Sequence, residues 1–172
     1  MFGLLNRLMR ALLDDDANIL CQLMLLAYMP EEVKKTGWEH FPHQADIGIR
    51  GMGPTIERAF EQTAVALTAV ITSPDSVVPE LKVEMSCRAS DGELLLVDWL
   101  NCLLYEMATR KMLFSRFEVH IERDNLTAAA WGQKTDFSKH RPVVEVKAAT
   151  YTALSVRQNK DGTWIAQCVV DV

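Results

Sequence analysis

A chain of 172 residues can bury one substantial core, and its 49% apolar and 24% charged composition is that of an ordinary soluble globular protein. A net charge of −5 with no run of Lys or Arg disfavours unaided binding to RNA or DNA, because phosphate neutralisation supplies most of that affinity. No apolar run reaches the about 18 residues of a membrane span; the four cysteines, Cys21, Cys87, Cys102 and Cys168, form no C-x-x-C pair and read as reduced structural thiols of a cytoplasmic protein.

Residues 1–36 differ in pattern from the rest of the chain. "LLNRLMRALL" and "ILCQLMLLAYM" are helix-like and are separated by Asp14, Asp15 and Asp16; "PEEVKKTG" then resembles a linker. They read as an N-terminal helical extension, either an arm for a partner or membrane surface or an appendage to the core. One domain is expected over residues 37–172.

In that domain residues 45–51 alternate, with Ile47 and Ile49 on one face and Asp46, Gly48 and Arg50 on the other, as in a half-buried strand. Thr55 is placed to cap a helix whose apolar positions, Ile56, Ala59, Phe60, Ala64, Leu67 and Val70, recur at helical spacing. "LKVEMSCRA" alternates as a second strand. "SDGE" fits a capping box with Ser90 as N-cap and Glu93 at the third position, opening the strongly apolar helix "LLLVDWLNCLLYEM". Four strands are then expected: one around Phe117–Glu122, one at "LTAAAW" after an Asp124-Asn125 turn, one long strand over "VVEVKAATYTALSV", and "TWIAQCVVDV" after "NKDG". The fold class expected is α+β, a mixed, largely antiparallel sheet with two core helices in the order β-α-β-α-β-β-β-β.

Enzyme signatures are scarce. There is no phosphate loop, no dinucleotide turn and no nucleophile elbow. His40 and His43 are separated by Pro42, which blocks the helix that would align them on a metal. What remains is oxygen chemistry. Asp46, Asp171 and, if the recorded end is the true one, the Val172 main-chain carboxylate are hard anionic donors of the kind calcium or magnesium prefers. The plainer reading, a turn cap at Asp46 and a solvated tail at Asp171, is equally compatible with residues 125 positions apart.

From Trp38 onward the chain resembles the archease family. The resemblance rests on "HQADIGIRGMG" followed by "TIERAFEQTAVAL", the apolar helix after "SDGELL", "GQKTDFSKH", "EVKAATY" and the ending "VVDV", all in order. It implies an accessory protein, not itself an enzyme, that activates an RtcB-type RNA ligase in tRNA splicing or RNA repair by promoting its guanylylation and multiple turnover. It also implies metal ligands at Asp46, Asp171 and Val172, with calcium the first choice of divalent cation, while the ligase would use GTP and manganese. Lys147 in "EVKAATY" falls at a position linked to activity, and His43 adjoins the metal stretch. Contact with RNA would be only indirect. Gln44 and Thr152 depart from the family pattern, which usually has Thr and often His there. Two other classes stay in view: an independent metal-dependent hydrolase with His43 as base, and a chaperone-like binding module.

Overall fold

The computed structural model describes residues 35–172; the helical extension expected over residues 1–36 falls outside them as far as residue 34. The described chain runs β1 (Gly37–His43), β2 (Asp46–Gly53), α1 (Ile56–Ile71), β3 (Leu81–Arg88), α2 (Gly92–Arg110), β4 (Met112–Glu122), β5 (Asn125–Lys134), the single turn α3 (Phe137–His140), β6 (Ala148–Ala149), β7 (Ser155–Gln158) and β8 (Trp164–Asp171). The α+β class holds, but the strands form two sheets and every pairing is antiparallel. One sheet is ordered β1-β2-β8-β6 with β7 also on β8; the other is β3-β5-β4.

Both long helices touch both sheets, α1 lying on β2, β8 and β4 and α2 on β3, β4 and β6. Phe60 and Leu67 of α1 meet Leu96, Trp99, Leu100 and Leu103 of α2 and Phe114 of β4 in a fully buried cluster. Helix α1 can lie this close to β2 only because Gly51 has no side chain. A Cβ there would sit 2.2 Å from the Ala59 carbonyl oxygen and 2.3 Å from the Thr63 nitrogen. Two buried hydroxyls tie α1 to the sheets, Thr63 donating to Ala166 O (3.1 Å) and Thr68 to Phe114 O (2.8 Å). Buried Glu61 accepts from the Val119 amide at 3.0 Å and pairs with Arg58, so its charge is compensated.

Thr55 caps α1 as expected, its hydroxyl accepting from Arg58 N. Other expectations shift. The N-cap of α2 is Asp91, not Ser90; its carboxylate accepts from the amides of Glu93 (3.0 Å) and Leu94 (2.9 Å). The β4–β5 turn is Arg123-Asp124, because Glu122 pairs with Asn125, and Arg123 takes φ 55°. The stretch "WEHFPH" is a full edge strand that alternation around Pro42 hid. The long strand over 143–156 is broken. Ala149 pairs with Val170 but Ser155 with Gln167, so the chain inserts three extra residues against β8 and bulges out with Ala153 at φ 51°.

Candidate metal and partner site

The β-ladders bring the sequence-predicted residues together. Strand β2 pairs with β8 through Ile47↔Val170, so one further step sets Asp46 opposite Asp171. On the other side of β8, Ala148 pairs with Asp171, and Lys147 N donates to Asp171 O at 2.9 Å. Directly opposed residues share a face of the sheet. Two carboxylates 125 positions apart are thus carried to one sheet end, with Val172 and Lys147 beside Asp171.

Lys147 is the cation of the group. Its Nζ donates to the Val172 main-chain oxygen at 2.9 Å and lies 3.6 Å from Asp171 Oδ1. The Lys147 side chain is 62% and the Asp171 side chain 49% exposed, so the pair is water-screened and contributes little to stability. Among the described residues no three His, Cys, Asp or Glu side chains cluster as a ready-made metal cage. A cation at this end would need the main-chain oxygen of Val172 as well as the two aspartates. The chemistry of this set suits a hard divalent cation: the donors are oxygens, two of them carboxylates, and an ammonium already stands beside Asp171 and Val172 in the role such a cation would take.

His43 closes the β1–β2 hairpin and pairs with Asp46 across it; the link is Gln44-Ala45. Its Nδ1 is buried and has no hydrogen-bond partner. Gln44 adopts φ 47°, a region a residue with a Cβ enters only at a cost. His40, three residues earlier, is a packing histidine, its Nε2 lying 2.8 Å from the Ala66 carbonyl oxygen of α1. Thr152, the other departure from the family pattern, lies in the bulge, where its carbonyl accepts from Val169 N at 3.0 Å.

One positioning residue escaped the sequence reading. Asn101, a polar break in the apolar run of α2, clasps both backbone groups of Ala149: its Nδ2 donates to Ala149 O (3.2 Å) and its Oδ1 accepts from Ala149 N (2.9 Å). That clasp ties β6, and Lys147 before it, to α2. An amide inside an otherwise aliphatic helix face was the available signal, because a buried amide has to find partners.

The described cysteines are free, and burial pushes the thiols of Cys87 and Cys168 up to about 12, so neither is a thiolate nucleophile. Among the described residues no helix is long and apolar enough to cross a membrane.

Residues 38–172 match the archease protein family (MTH1598/TM1083). The chain belongs to the archease family. It is 40% identical over 139 residues to the protein archease of Pyrococcus furiosus, covering 78% of this chain and 98% of that one. The Pyrococcus abyssi archease is 42% identical over the same span and shares. Among solved structures, that of Methanobacterium thermoautotrophicum protein 1598 is similar with a TM-score of 0.69 at 32% identity, covering 79% of this chain and 99% of that one. This archease therefore carries its Asp46–Asp171 sheet end on the family's own fold.

Proposed function

We propose that this archease is an activator of an RtcB-type RNA ligase, promoting guanylylation and multiple turnover of the ligase in tRNA splicing or RNA repair. The observation that supports it is the convergence of Asp46, Asp171, Val172 and Lys147 at one sheet end. Asp46, Asp171 and the Val172 main-chain oxygen would hold a divalent cation, calcium first. When bound, that cation supplies concentrated positive charge able to accept a phosphate or carboxylate oxygen.

The chain's own groups account for the rest. Lys147, drawn to Val172 and Asp171 by attraction alone, is exposed enough to swing to a phosphate or an acidic group on the ligase. Asn101 fixes the strand from which it would reach. The acidic balance of the chain suits encounter with a basic, RNA-binding partner that uses GTP and manganese. Activation requires that this surface bind one state of the ligase more tightly than another, since equal affinity would shift nothing.

The test is multiple-turnover RNA joining by the cognate ligase, with GTP and manganese, in the presence and absence of this archease. Stimulation by the native protein that Asp46→Asn abolishes supports the reading. No stimulation by the native protein defeats it, and full stimulation by Asp46→Asn removes the carboxylate site from it. Phosphoester hydrolysis by this archease without ligase would instead favour the hydrolase reading, with His43 as the base.

A further inference from the structure

A second surface lies at the far end of the segment that leads to Lys147. Ile71, Leu104, Met107, Met112, Phe137 and Val143 line a groove of about 490 Å³ between the C-terminal turn of α2 and residues 142–146. Two of these side chains face water instead of the core: Phe137 is 76% and Val143 80% exposed.

Local bonding holds Phe137 in place. Asp136 caps α3, its carboxylate accepting from Ser138 N (2.8 Å) and Lys139 N (3.3 Å). Buried His140 accepts from Asp136 N through Nδ1 (2.8 Å), its other ring nitrogen lies 2.7 Å from the Gln133 amide, and its carbonyl accepts the Thr72 hydroxyl. Arg141 ends the turn at φ 43°. Phe137 and Val143, exposed together beside an apolar groove, form the kind of contiguous patch that marks an interaction site.

Charge around the groove runs against the charge of the chain. Lys111, Lys134 and Arg141 are chain neighbours of lining residues and Arg110 and Lys139 stand two positions from one; all five are exposed, and they are five of the chain's 18 Lys and Arg. Lys134 Nζ donates to Arg110 O (2.8 Å) and Thr135 N to Lys111 O (2.9 Å), which draws the α2 end and the β5 end into one cationic rim. Arg110 is paired with Glu106, and the Asp136 carboxylate is occupied in capping. Lys111, Lys134, Lys139 and Arg141 make no ion pair among the described residues. Glu145 is the one carboxylate lining the groove.

We propose that this groove docks an acidic segment of a partner protein that inserts apolar side chains between α2 and residues 142–146. The apolar floor accepts the anchors and the cationic rim accepts flanking carboxylates, as in helix-in-groove recognition. RNA fits less well. A floor of aliphatic and thioether groups with one exposed ring gives few stacking platforms for bases.

A phage-displayed library of random peptides panned on the full chain tests this, with Phe137→Ser/Val143→Ser as the counter-selected variant. Both positions are exposed, so that variant keeps the native melting temperature. Enriched peptides carrying Asp or Glu beside Leu, Met or Phe are expected on the native chain and not on the variant. By fluorescence polarisation, Lys139→Glu/Arg141→Glu should weaken the best peptide at least about tenfold, and added salt should weaken it further. No enrichment, enrichment that survives the counter-selection, or basic peptides would overturn the proposal. So would oligouridylate binding that Phe137→Ser/Val143→Ser abolishes. None of these readouts involves the carboxylate end or the ligase.

Discussion

Residues 141–147 join two surfaces of opposite character. At one end Arg141 belongs to a cationic rim around exposed apolar side chains; at the other Lys147 stands beside Asp171 and Val172, at the sheet end that also carries Asp46. The cationic end is held largely by the caps and the buried histidine of one short stretch, Gln133–Arg141, set against the end of α2. The acidic end is built by register, from three strands distant in sequence. Locally built surfaces fail through their own hydrogen bonds. Register-built ones fail through the groups that hold strands in place, or through the donors themselves.

The largest effect expected is on the donors. Asp46→Asn keeps the strand and its size but removes one of two side-chain charges at the acidic end. Calcium affinity measured by calorimetry should fall by about 100-fold or more, with the melting temperature unchanged. Unaltered calcium binding by this variant would remove Asp46 from the site and leave the cationic groove untouched.

Next comes the clasp. Asn101→Ala leaves both backbone groups of Ala149 unpartnered, at a cost of roughly 1–3 kcal/mol. Denaturant unfolding should show that loss. Amide exchange at Ala149 should rise while exchange in α3 stays as it was, separating the two ends of the segment.

Much of this architecture is legible in the sequence. Helix α1, its Thr55 cap and the apolar α2 come from helical spacing and cap signals, β2, β3 and β4 from alternation, and β5 and β8 from the turn signals before them. The misreadings have local causes. Pro42 masked β1. A three-residue insertion against β8 left the apolar pattern of 143–156 looking continuous, because each fragment alternates by itself. Carboxylates were identifiable by type, but nothing in their spacing says that β2 and β8 are neighbours. That pairing is a property of the sheet, and the family resemblance supplied the expectation. The groove went unread because Phe137 and Val143 look in sequence like ordinary core residues.

Lys147→Met tests the cation at the acidic end. Removing an exposed charge about 4 Å from competing oxygens is worth about 1 kcal/mol in a water-like dielectric. Calcium should therefore bind roughly fivefold more tightly, although activation of the ligase falls. Weaker calcium binding would make Lys147 a supporter of the site and not a competitor for it. Gln44→Gly relieves the positive φ beside His43 and should stabilise the fold by about 1 kcal/mol in urea unfolding, with the cationic end unaffected.

The smallest effect separates the two ends by pH. The Ser138 hydroxyl, then the Ser138 and Lys139 amides, donate to Asp136 and hold its carboxyl below the usual carboxylate range. A lowered folded-state value means the cap's contribution is complete above the ordinary Asp value of about 3.9. It is lost as pH falls through the lower, folded-state value. Because Asp136 is exposed, this loss is confined to the turn it caps. Amide exchange at Ser138 and Lys139, relative to that of β5, should therefore be constant down to about pH 4 and rise only in stronger acid. Asp136→Asn can still accept these bonds but does not titrate, so it should show no such rise. A rise in the native protein already at neutral pH would mean that something other than this carboxylate holds Phe137 at the mouth of the groove.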